Sequence, residues 1–277
     1  MPAKYIRALL LIYGVLNAAL YSSLLPLWEG FDEEFHYGYV QYLSAHHQFP
    51  VLGKTGLSQE VNRSIELLPM SYVMIVNLRL KGLPLTFDQY FALYSATRHQ
   101  LFGAALAIPT DLRSTESSIF SPNYEVHHAP LAYLSMAIFD SFLHRAPLPR
   151  RVWVLRLMVS IAATVLMFRG LLALGSEAGL SDALAATLVF LMFSCQMFWA
   201  TIAHIGNDWL AVPLAVWLIV LALRFQRSPS NRLAFWLAVV LGLGLTQSAH
   251  AVWQYSPPYR VFSQARGIYG ISCYTRI

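Results

Sequence analysis

Three short stretches of this chain gather groups that can move a proton. "EGFDEEFHYGY" (29–39) holds Asp32, Glu33, Glu34 and His36. "NYEVHHAPLAYL" (123–134) brings Glu125, His127 and His128, and "AHIGNDWLAV" (203–212) brings Asn207 and Asp208. All three border long apolar runs. A carboxylate at a water–hydrocarbon boundary sits in lowered dielectric, where its pKa rises. It can then act as general base toward a hydroxyl. A second acid with a histidine beside it could also hold a divalent cation, the one cofactor these residues suggest.

Plain structural readings compete at each stretch. Asp and Glu favour a helix N-terminus through the macrodipole. Pro130 suits the first turn of a helix, so Glu125, His127 and His128 could simply cap and anchor it. Asn207 and Asp208 could be turn residues. Positive charge is the other ingredient. Arg156 interrupts the apolar run "VLRLMVS", a costly placement that calls for a partner. Arg150 and Arg151 precede it, and arginines beside a membrane can grip a lipid phosphate bidentately.

The elements that must position these groups are membrane helices. The chain has 277 residues, is 57% hydrophobic and only 12% charged, and has a mean hydropathy of +0.50. A soluble domain carries about 25% charged residues. The net charge of +5 reads as a topology signal; without an interleaved aromatic stacking platform it does not point to nucleic acid. Cys195 and Cys273 form no CxxC pair and imply no disulfide framework or zinc ribbon.

The expected fold is all-α, a polytopic membrane helix bundle in one domain over residues 1–245. Its apolar segments are Tyr5–Leu27, Ala129–Leu143, Val152–Leu174, Ala183–Ala203, Trp209–Leu223 and Leu233–Leu245. Lys4 and Arg7 precede the first and acids follow it, so the N-terminus should be cytoplasmic. A long external loop, about 28–128, should carry juxtamembrane helices over Phe31–His47 and about Thr86–Ala107, the second with an aromatic stripe. The tail 246–277 loses the apolar rhythm and is expected to mark a truncated or frameshifted end.

Two topologies fit. If Ala129–Leu143 crosses, Arg145, Arg150 and Arg151 are cytoplasmic, but Asp208 lies opposite Asp32 and Arg224, Arg227 and Arg232 lie outside. If that segment dips or lies flat, Asp208 joins Asp32 and only the 145–151 arginines break the positive-inside rule. The second is preferred, because phosphate binding would explain its exception.

The three motifs, in this order, resemble the C-type (GT-C) superfamily of integral-membrane glycosyltransferases over about residues 5–245. "FDEEFHYGYVQYLS" is similar to the Asp-Glu-x-x-His element after the first membrane helix. "HHAPLAYL" resembles the His-Pro-Pro-Leu-x-Tyr element closing the first external loop, with Ala129 in place of the first proline. "VLRLMVS" resembles the following arginine-serine segment, and "IGNDWLA" the second acidic motif.

The resemblance implies transfer of a sugar from a polyprenyl-phosphate carrier to an acceptor on the external face of the plasma (inner) membrane, usually with inversion. Asp32 would be the general base with Glu33 beside it, and Asp208 the second acid. Arg156 would help hold the donor phosphate; Arg150 and Arg151 join it through the positive-inside exception above and not through the family's motif. His36 and His128 would line the substrate site. The partners implied are the lipid-linked sugar donor, an acceptor of unknown kind and the bilayer. Members of the superfamily usually run longer.

Two other classes remain. Glu33-x-x-His36 and Glu125-x-x-His128 repeat the Glu-x-x-His pattern of di-metal carboxylate oxidases, which needs two further facing glutamates. A transporter should show an internal repeat, and an inert fragment should be indifferent to Asp32→Asn.

Overall fold

Apolar runs of about 20 residues satisfy their backbone groups most simply as helices, and a computed structural model of the chain is built that way. It describes residues 3–67, 102–115 and 123–248, together with Asp88, Ala92 and Gln100. The expected helix over Thr86–Ala107 and the tail beyond Ser248 lie largely outside the described residues. The described part is all-helical: α1 (Ala3–Leu24), α2 (Glu33–His46), α3 (Gln59–Leu67), α4 (Leu131–Phe142), α5 (Leu148–Glu177), α6 (Asp182–Ser194), α7 (Gln196–Ile202), α8 (Asp208–Arg227) and α9 (Asn231–Ser248). Short 3₁₀ turns occur at Thr110–Ser114 and Tyr124–His127.

Helices α1, α5 and α8 are long and apolar enough to cross a membrane. Helices α6 and α7 reach that length only as a pair bent by 66°. The segment 183–203 was expected to be continuous. It breaks at Cys195, which is extended (φ −78°, ψ 112°). Trp199 Nε1 donates to the Phe193 carbonyl at 2.7 Å, filling an acceptor near the break. Phe198 stacks between Phe193 and Trp199 with centroids 5.9 and 4.9 Å away. Aromatic packing therefore replaces helical continuity.

Close packing orients the spans. α1 turns Gly14, Ala18 and Ser22, four residues apart, into the bundle. A Cβ at Gly14 would lie 2.5 Å from Phe193 and 2.8 Å from Thr164, so α1 can rest on α5 and α6 only without one. Ser22 and Ser160 hydroxyls meet at 2.9 Å. Ion pairs mark one end of the bundle: Arg7 with Asp182 at 2.7 Å and Arg224 with Glu177 at 2.7 Å. At the opposite end Arg156 of α5 reaches back to the carbonyls of Leu25 and Pro26. α1, α5, α6–α7 and α8 thus alternate in direction, and residues 25–33, 148–156 and 202–208 gather at one end.

α4 does not follow that alternation. Its 12 residues span about 18 Å, short of a roughly 30 Å hydrocarbon core. It packs mainly along α2. Asp208 consequently lies at the same end as Asp32, while Arg224, Arg227 and Arg232 lie at the end that carries Lys4 and Arg7.

Candidate active site

The first motif begins in a turn held by backbone strain. Trp28 (φ 66°) and Asp32 (φ 50°) both adopt the left-handed conformation that side chains disfavour. Trp28 is held there by burial and by its Nε1 donating to Ser64 Oγ at 2.8 Å. Asp32 stands at the N-cap of α2, yet its carboxylate makes no capping hydrogen bond. It is exposed and acts electrostatically on the nearby Tyr124 hydroxyl. The charge at the helix end is therefore not spent on the cap.

Glu33, one residue on, is wholly buried and fully engaged. Oε1 accepts from Arg156 Nε at 2.6 Å and from the Ile205 N–H at 2.9 Å, and Oε2 pairs with Arg156 NH2. Burial alone would raise its pKa. The Arg156 guanidinium, with His204 and the Ile205 amide, holds it below the usual carboxylate range. Arg156 in turn gives NH1 to Leu25 O at 2.5 Å and NH2 to Pro26 O at 2.9 Å. All three of its nitrogens are taken by protein groups, and only 3% of the residue is exposed. Expected to hold donor phosphate, Arg156 is found tying the first motif to the third.

The second motif docks through Asn123. Its amide donates to Phe35 O at 2.7 Å and its oxygen accepts from the Glu125 N–H at 2.9 Å. That fixes the Tyr124–His127 turn against α2, with the Tyr124 ring 4.7 Å from that of Phe35. Glu125 is buried between two histidines: Oε2 lies 2.8 Å from His128 Nε2 and 3.4 Å from His36 Nδ1. Burial would raise its pKa, but the adjoining His128, His36 and His127 imidazoles lower it. His36 Nδ1 also meets the Tyr133 hydroxyl at 2.7 Å. Burial depresses the His36 pKa to about 4, which keeps it neutral. The Asn207 amide reaches His128 Nδ1 at 3.3 Å, so the third motif joins the second.

Around this buried knot lie the free acids. Asp208 is exposed at the start of α8 and acts electrostatically on Tyr133 and His204. Glu34 is 9% exposed; burial, with Asp32, Glu33 and Glu29 nearby, pushes its pKa up to about 7. Of the expected residues, then, Asp32, His36, His128 and Asp208 gather at one place with Glu33 and Arg156 as its strut. Tyr124, Tyr133, His204 and the raised Glu34 went unassigned in the sequence, although each lies inside or beside a quoted motif.

Arg151 goes elsewhere. It is fully buried, and binds Glu60, the Tyr37 hydroxyl (2.6 Å), the Ala146 carbonyl (3.0 Å) and, at 3.5 Å, Asp140. Asp140 accepts from Tyr37 (3.0 Å), Ser44 (2.5 Å) and Arg113 (2.9 Å). Gln41 donates to Glu60 at 2.6 Å. This network locks α2, α3, α4 and α5 together and leaves no face of Arg151 for a ligand. Arg150, its neighbour, is exposed.

The expected divalent cation finds no cluster of three or more His, Cys, Asp or Glu among the described residues. The two Glu-x-x-His pairs do not converge as a di-metal site needs, since Glu33 is committed to Arg156 and His36 faces Glu125. No known protein family, curated protein or solved structure matches the chain.

Proposed function

We propose that the chain is a membrane glycosyltransferase of the polyprenyl-phosphate-sugar type, acting at the bundle end where the three motifs meet. One observation carries the reading: segments some 90 and 80 residues apart in sequence converge through Glu33 to Arg156 and Ile205, and through His128 to Glu125 and Asn207. They leave Asp32 and Asp208 exposed beside them.

In this reading Asp32 takes the proton of an acceptor hydroxyl as its oxygen attacks the anomeric carbon. The new C–O bond forms as the bond to the carrier phosphate breaks, and the polyprenyl phosphate leaves with the electron pair. Arg150, exposed at the same end, has an open guanidinium to receive that charge. Arg151 and Arg156 serve by holding the scaffold. Tyr124 stands near Asp32, and Asp208 is the second acid at the site. Lys4, Arg7, Arg224, Arg227 and Arg232 share the opposite end, which supports a cytoplasmic placement for it. The site then faces outward from the plasma (inner) membrane.

The test is transfer in isolated membranes supplied with radiolabelled polyprenyl-phosphate sugars. Asp32→Asn should cut incorporation by about 100-fold or more at equal protein level, the scale of a lost general base. Undiminished incorporation in both Asp32→Asn and Asp208→Asn would overturn the reading.

A further inference from the structure

His204 lies inside the third motif, and the mechanism above does not use it. Its ring is fixed on every side but one. Nδ1 lies 2.9 Å from the Ala200 carbonyl, so Nδ1 carries the proton and donates it. Gly30 of the α1–α2 turn presses on the other face: a Cβ there would lie 2.7 Å from His204 Cβ. The Phe31 ring stands edge-on at 5.9 Å. Only 3% of the residue is exposed.

The remaining atom is Nε2, an acceptor in this tautomer. It faces Gly206, where a Cβ would lie 3.0 Å away. Among the described residues Nε2 has no hydrogen-bond partner. The little exposure that His204 keeps reaches this nitrogen, and a glycine two residues before Asp208 stands beside it without a side chain to cover it. The charged groups around the ring are Glu33, Arg156 and Asp208. Burial outweighs the two carboxylates and keeps the ring neutral, with its lone pair available.

We propose that His204 Nε2 is a binding group for a sugar hydroxyl, accepting its hydrogen bond beside Asp208. This rests on the glycosyltransferase reading and adds a residue that reads the sugar. The hydroxyl belongs either to the lipid-linked donor or to the acceptor.

The test is modification of His204 by diethyl pyrocarbonate in protein reconstituted in nanodiscs, followed by mass spectrometry. The probes are polyprenyl-phosphate hexoses and pentoses, polyprenyl phosphate alone and the free sugars, with binding of radiolabelled lipid measured in parallel. Protection of His204 by a lipid-linked sugar, and not by polyprenyl phosphate, assigns the hydroxyl to the donor. Protection by free sugar alone assigns it to the acceptor. A lipid-linked sugar that binds without slowing modification overturns the inference and leaves the glycosyltransferase reading standing. Failure of every lipid probe to bind removes that reading, and the inference with it.

Two variants separate binding from scaffolding. His204→Asn keeps an N–H at the Nδ1 position for Ala200 but removes the Nε2 acceptor. It should fold as wild type and lose about tenfold in sugar-dependent binding, the scale of one hydrogen bond. Wild-type binding in His204→Asn would show that the residue only holds the loop.

Discussion

Two polar clusters a few turns apart in the same helices show opposite treatment of charge. Around Arg151 the charged groups are buried, apart from the half-buried Arg113, and each is tied to an opposite charge or a hydroxyl. At the other cluster Asp32 and Asp208 are themselves exposed, and Asp32 is held in a strained backbone conformation. A charge closed in by partners fixes structure and has nothing left to offer a ligand. A charge left open at a cost in strain is the kind of group the proposed transfer draws on. The arginines divide on the same line: Arg151 and Arg156 are sealed, while Arg150 is open.

The largest effects should come from breaking the sealed side. Arg151→Ala leaves Glu60 buried without its cation, while Asp140 keeps Arg113, and Arg156→Ala leaves Glu33 in the same state as Glu60. Each should cost about 3–5 kcal/mol, seen as a lost or strongly lowered unfolding transition in detergent. Arg156→Lys should rescue little, because a lysine cannot match the paired Nε and NH2 contacts to Glu33. Arg150→Ala should leave the transition unchanged and weaken only the binding of polyprenyl phosphate.

The open side should give the reverse pattern. Asp32→Asn should abolish transfer with a change in stability within about 0.5 kcal/mol, as for exposed positions. Asp32→Gly should also abolish it and raise stability by up to about 1 kcal/mol, since glycine adopts φ 50° freely. A loss of several kcal/mol in either variant would erase the contrast between the clusters.

Smaller effects follow from pH. Glu34 titrates at about 7 in the fold, above its ordinary value of 4.5. The folded chain therefore binds the proton more tightly, and this contribution to stability is lost as pH rises from about 4.5 to about 7. His36 is the opposite case. Its folded pKa, about 4 against 6.5, makes the unfolded chain the better proton binder, so stability is lost as pH falls from 6.5 toward 4. Wild type should show partial cancellation where the windows overlap. Glu34→Gln should unmask stability rising with pH there, and His36→Asn stability falling with pH, both read from unfolding midpoints. The smallest effect should come from Arg7→Ala at the exposed Arg7–Asp182 pair, under about 1 kcal/mol.

Much of this architecture is written in apolar runs. Tyr5–Leu27 and Val152–Leu174 match α1 and α5 to within four residues at each end, and the shortness of Ala129–Leu143 reflects a helix that lies along α2. Helix α3 was not foreseen. Its sequence QEVNRSIEL is polar, and it buries Glu60, Asn62 and Ser64 as well as Val61 and Ile65, so hydrophobicity gives no signal for it. The roles of the arginines were hidden for a related reason. Arg151 and Arg156 read as phosphate-binding groups because their carboxylate partners Glu60 and Glu33 lie 91 and 123 residues away in sequence. The motif acids were legible by type and spacing. Which of them is sealed and which is open depends on packing that no local pattern records.

The account stands or falls on Asp32 and Asp208 opening to one compartment. With Cys195 and Cys273 replaced by serine, single cysteines at 32 and at 208 can be labelled in intact cells with an impermeant maleimide. Labelling of both from outside is the predicted result. Labelling at 32 with reaction at 208 only after permeabilisation would put the two acids on opposite faces and dissolve the proposed site.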